Sequence, residues 1–247
     1  MRFVRVRAIA AIAGAGVAAV LPAAAHGGPR ADYRQVFTTP VPGKSTGIDT
    51  QILYKHPDDP DAKPIPVRQE VFTFPRGTRF DESVVPDCTV PDVQLQLQGE
   101  SACPPETWIV GGHGNTSMTG FPGAGETAIT VNGFDFGSGR FRVLGGAEGF
   151  PLRFIAHGKR VGRITTVEVP RTPGGPPDGE GALRRIHNLS PPRSLGRRAF
   201  VRTPRKCPSS RVWTFKVRMT FADGAIERNT HRMPCRRKRR SGTGSRR

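Results

Sequence analysis

The chain carries few of the signatures that mark catalysts or metal sites. Only four of its 247 residues are cysteine, two are tryptophan and two are tyrosine. No two cysteines stand as C-x-x-C, the close pairing that zinc sites use. His56, His113, His157, His187 and His231 are isolated, with no H-E-x-x-H or H-x-E arrangement. The G-K-[ST] ending of a phosphate-binding loop and the G-x-S-x-G nucleophile turn are both missing. No cofactor and no metal are therefore expected. Beyond residue 25, no apolar run approaches the ~20 residues of a membrane span. Acidic residues are nearly lacking at the end of the chain: Gly181–Arg247 holds 20 basic and 2 acidic residues, against 15 and 18 in His26–Glu180.

The first residues are informative. Arg2, Arg5 and Arg7 precede an apolar run from Ala8 to Leu21 and then Ala23-Ala24-Ala25. That is the order of a secretory signal peptide. Cleavage after Ala25 leaves 222 residues and places them outside the cell, released or held at the surface non-covalently. We read 26–235 as one domain and 236–247 as a disordered basic tail.

Twenty-four prolines and 30 glycines interrupt short apolar runs. That pattern predicts an all-β fold, an antiparallel β-sandwich with long Pro/Gly-rich loops and one short helix; a barrel suits the same strand spacing. Strands are expected at 35–39, 48–54, 67–74, 107–110, 128–131, 134–136, 141–144, 152–156 and 163–169. Asn132-Gly133 reads as a type I′ hairpin turn. Gly111–Gly125 reads as a loop, and Arg171–Gly181 as a long loop at which the charge balance changes. The clearest alternation is Trp213, Phe215, Val217, Met219 and Phe221 against Thr214, Lys216, Arg218 and Thr220. Asp223-Gly224 then turns the chain into a polar edge strand, 226–233. Between Cys88 and Cys103 the alternation of Val93, Leu95 and Leu97 competes with helix signals. Thr89 as N-cap, Pro91 in the first turn and Gly99 as terminator favour a short helix.

Four cysteines in an exported chain argue for two disulfides, and sequence neighbourhood favours Cys88–Cys103 and Cys207–Cys235 among the three possible pairings. The runs F-P-R-G-T-R-F-D, V-P-D-C and A-C-P-P-E-T-W-I-V-G-G-H-G, with the later W-T-F-K-V-R-M-T-F-A-D-G…P-C, resemble an uncharacterised family of secreted actinobacterial proteins. The resemblance implies export and a β-rich fold, and supplies no activity.

The most site-like stretch is Gly111-Gly112-His113-Gly114-Asn115-Thr116-Ser117, where glycines expose backbone amides beside an imidazole, His113. A turn is the simpler reading. Asp58, Asp59 and Asp61 lack the glycine and distal glutamate of a calcium loop. Trp213, Phe215 and Phe221 stand on the strand face opposite Lys216 and Arg218, so they read as core and not as a base-stacking platform. Arg236, Arg237, Lys238, Arg239 and Arg240 form the surest surface feature. Clustered cations bind polyanions by counterion release, and outside a cell those are anionic cell-wall polymer, anionic lipid or extracellular nucleic acid. The leading expectation is thus a non-catalytic envelope-associated or matrix protein. The alternatives are an extracellular hydrolase near His113 and a small-ligand or carbohydrate-binding module.

Overall fold

A computed structural model describes residues 28–118, 125–149, 151–175 and 179–236. The expected leader and Arg237, Lys238, Arg239 and Arg240 lie outside the described residues.

In chain order the strands are β1 (Ala31–Phe37), β2 (Ile48–Tyr54), β3 (Val67–Thr73), β4 (Arg79–Phe80), β5 (Trp108–Ser117), β6 (Glu126–Asp135), β7 (Arg140–Ala147) and β8 (Arg153–Val161). There follow β9 (Ile164–Glu168), β10 (Ala182–Ser190), β11 (Ser194–Leu195), β12 (Arg198–Ala199), β13 (Val201–Arg202), β14 (Val212–Phe221) and β15 (Ile226–Pro234). Among the described residues one α-helix, α1 (Asp92–Gln98), precedes β5.

Eleven strands make one antiparallel sheet in the order β1-β2-β10-β5-β6-β7-β8-β9-β3-β14-β15. All-β is the observed class. The sheet is one layer rolled almost into a barrel, not two sheets laid face to face. Its edges meet through side chains: Arg30 and Ala31 donate backbone N–H bonds to Glu227, and Asn229 donates to the carbonyl of Ala31. Rolling buries a continuous inner face and shelters the two edge strands.

The strongest alternation folds as read. Trp213, Phe215, Val217, Met219 and Phe221 are all buried on the inner face of β14, and Gly224 takes φ +83° in the turn to β15. The sheet edge expected at 226–233 is β15.

Three local expectations fail for physical reasons. Gly111-Gly112-His113-Gly114 is not a loop but the body of β5. A Cβ at Gly112 or Gly114 would strike the β10 backbone, so glycine allows that close approach. Asn132-Gly133 is no turn; it runs straight through β6, where Trp108 donates Nε1–H to Asn132 Oδ1 at 2.9 Å across a bulge in β5. The turn comes later, at Gly137-Ser138-Gly139, all with positive φ. Thr89 does not cap α1: Pro91 is the N-cap residue, with no side-chain cap bond, while Gly99 ends the helix at φ +74°.

Strand β10 was not foreseen. It follows the 171–181 loop and inserts between β2 and β5, third from the β1 edge of the sheet. Part of the basic quarter is thus built into the body of the fold.

Both disulfides form as expected, Cys88–Cys103 with Cα atoms 5.5 Å apart and Cys207–Cys235 at 5.7 Å. The first staples α1 to the outside of the sheet, where Leu95 packs with Phe134 and Leu144. Asp92 fixes the register of that helix by accepting from Arg142 Nε and pairing with His157 Nε2, each at 2.8 Å. Burial works against the Asp92 charge, but these two partners outweigh it and hold the carboxyl below its ordinary range.

Candidate functional site

The barrel interior is incompletely filled. A cavity of about 160 Å³ lies among inward residues of β1, β2, β3 and β5–β10. Its wall is mainly apolar: Ile52, Phe72, Val131, Val143, Phe154 and Ile186 are representative. Two features thin the wall. Gly145 and Gly158 are the register partners of Phe154 and Phe141, and each ring folds over the facing glycine. The rings therefore lie along the wall and leave the axis open.

One end is plugged. Arg160 points inward from β8, with its guanidinium carbon 4.2, 5.2 and 5.6 Å from the ring centres of Phe80, Phe200 and Phe141. Its Nη1 is 3.5 Å from Glu82 Oε1, too long for a good hydrogen bond, and neither Nε nor Nη1 is bonded among the described residues. Burial depresses its basicity; Glu82 and Asp135 oppose that. Asp135, also at this end, is pushed up to about 6 by burial, against a bond from the Gly137 N–H. At the other end a second hollow shares Phe154, Val169 and Leu183 with the cavity wall and continues toward Pro66, Met118 and Thr172.

The polar groups inside are few and specific. Tyr33 donates to Gln35 Oε1 at 2.8 Å, and Gln35 Nε2 donates to Thr50 Oγ1 at 2.8 Å. Tyr54 donates its hydroxyl to Glu70 Oε1. Glu70 is 8% exposed and lines the cavity. Burial pushes its carboxyl up to about 7, against the stabilising bond from Tyr54. Both tyrosines are pushed upward by burial and by Glu70. Thr165 Oγ1 and Asn188 Oδ1 also line the cavity, and neither has a hydrogen-bond partner among the described residues.

The residues singled out from sequence sit elsewhere. His113 is exposed on the outer face of β5, 5.4 Å from the His187 ring. His187 Nε2 lies 3.1 Å from Asp49 Oδ1. Ser117 is buried four residues along the same strand, roughly 13 Å away at strand rise, so the two are not brought together. Asp59 Oδ1 caps the N–H of Asp61 within a surface loop. No group of three or more metal-binding side chains converges among the described residues. Arg236 follows Cys235 at the plugged end, its N–H bonded to the Pro40 carbonyl at 2.8 Å.

Sequence reasoning missed Glu70. A signal was present: in V-F-T-F, Phe72 and Phe74 share one strand face, and Glu70 is two residues earlier on that face.

A second feature lies on the outer surface. On β14 and β15, Lys216, Arg218, Arg228 and Arg232 point outward, and Arg218 directly faces Arg228. Arg218 donates to Gln69 at 2.9 Å, but none of the four cations is in an ion pair among the described residues.

No family model, no curated protein and no solved structure matches the chain.

Proposed function

We propose that this is an exported, disulfide-stabilised, non-catalytic β protein that holds a small apolar molecule inside its barrel. The observation that carries the reading is the cavity. At about 160 Å³ it compares with the ~150 Å³ apolar cavity that admits benzene, and a mainly apolar hollow with a few placed polar groups is the usual form of a small-ligand site. Toluene is a suitable probe. Calorimetry on the mature full-length chain should give saturable binding. Ala156→Phe, which places a ring in the cavity from β8, should abolish it. Undiminished toluene binding by Ala156→Phe sinks the reading.

A second reading concerns retention, and it rests on the unpaired cations of the β14–β15 hairpin, which lead directly into Arg236, Arg237, Lys238, Arg239 and Arg240. The basic end holds the protein on anionic cell-wall polymer. Deleting 236–247 should release it from cells at low salt. Release by a nuclease, or by detergent alone, would assign the partner to extracellular nucleic acid or to anionic lipid instead.

A further inference from the structure

Resting on the cavity reading, we infer that the occupant of the barrel is a small apolar molecule bearing one ammonium group, seated against Oε2 of Glu70. Glu70 is more than nine-tenths buried, and its Oε1 is taken by Tyr54. No other hydrogen bond to this carboxyl is made among the described residues, and Glu70 stands in the cavity wall. Asn188 Oδ1 and Thr165 Oγ1 are further oxygen atoms in that wall without a bond. The unbonded donors of this wall, Arg160 Nε and Nη1, lie among phenyl rings at the plugged end, so the acceptor Asn188 Oδ1 and the Glu70 carboxyl are left to ask for a donor.

The charge argument narrows the donor to a cation. A buried carboxylate is costly unless it is paired. The groups acting on Glu70 are Tyr54 from β2 and Tyr33 from β1; its register partners on β14 and β9, Met219 and Val167, are uncharged. Arg160, on β8, lines the same cavity, but it is engaged by three phenyl rings and faces Glu82. No side-chain cation neutralises Glu70 among the described residues. A ligand ammonium supplies the missing charge, donates to Oε2, and meets the aromatic face of Phe72 in the same wall. The cavity's size limits the rest of the molecule to about a benzene ring and a short stem.

Arg160 makes the opposite choice, an apolar anion, the rival to exclude. The test uses benzylamine, benzyl alcohol and benzoate with the mature chain, read by calorimetry at pH 8. Benzylamine should bind at least about tenfold more tightly than benzyl alcohol. Glu70→Gln, which keeps an acceptor for Tyr54, should bring benzylamine down to the level of the alcohol and leave the alcohol unchanged. In the unsubstituted protein, benzylamine affinity should rise about tenfold from pH 5.5 to pH 8 while the alcohol stays flat, a readout that needs no variant. Preference for benzoate overturns the inference and assigns the head group to Arg160. Equal binding of all three overturns it while sparing the cavity reading. Binding of none overturns it as well, and the toluene titration then decides whether the cavity reading stands.

Discussion

The hydroxyl of Tyr54 is bonded to the carboxyl of Glu70 inside the barrel, and this is a buried acid held by a neutral donor. Glu70 is raised to about 7 from 4.5. Between those values the folded chain keeps a proton that the unfolded chain has released. Stability is therefore full below about pH 4.5 and falls as pH rises toward 7, by about 3 kcal/mol for this group. Urea unfolding from pH 4.5 to 8 should show that decline. Glu70→Gln should remove most of it, leaving the smaller slope of the same sign that raised Asp135 contributes. An unchanged slope in Glu70→Gln would show that the carboxyl is not desolvated as described.

The glycine–ring pairs of β7 and β8 give a prediction about the wall. A Cβ at Gly158 would enter the Phe141 ring, and one at Gly145 the Phe154 ring. Gly158→Ala should therefore cost about 1–3 kcal/mol, as overpacking does. Adding Phe141→Leu should recover part of the loss, because the two positions are coupled through one contact. Additive losses in a double-mutant cycle would refute the pairing.

These elements also show what a sequence discloses and what it does not. β14 was legible because five alternate apolar residues face one core, and the strand period is local information. The disulfides were legible because their loops are short. The glycines of β5 misled, since their meaning depends on β10, some 70 residues away; glycine in isolation signals a turn, and only the neighbouring strand makes it a close-approach residue. Asn132-Gly133 misled for the same reason: Trp108 and Val110 on β5 occupy the space beside it. The cavity could not be read at all. Its existence depends on where two rings turn and on the roll of eleven strands, neither of which leaves a period in the chain.

The two disulfides should differ in what they protect. Cys207–Cys235 spans 28 residues and ties the start of β14 to the end of β15, whereas Cys88–Cys103 spans 15 and holds an outer helix. Loop entropy alone makes them similar, about 3.5 and 3 kcal/mol. Local structure separates them. Replacing Cys88 and Cys103 by serine should loosen amide protection around α1 and Leu95 while β14 stays protected. Replacing Cys207 and Cys235 should lower protection in β14, β15 and β1 together, because those strands meet at the barrel seam. Hydrogen exchange distinguishes the patterns, and uniform loss in both variants would contradict this division.

Arg218 facing Arg228 is a costly arrangement for a structural pair, since like charges directly opposite on a sheet destabilise it by a few tenths of a kcal/mol or more. If the hairpin serves a polyanion, removing its charge should gain stability and lose binding. Threonine at both positions keeps strand preference and removes both charges. Thermal unfolding should then shift slightly upward. Linear polyphosphate, used as a probe for anionic wall polymer, should bind more weakly, and the slope of log affinity against log salt should fall by about one for each cation removed. Substituting Lys216 and Arg232 as well should lower that slope by about two more. A salt slope that persists with all four cations gone would place the polyanion contact in the 236–240 cluster alone and remove the hairpin from the interface.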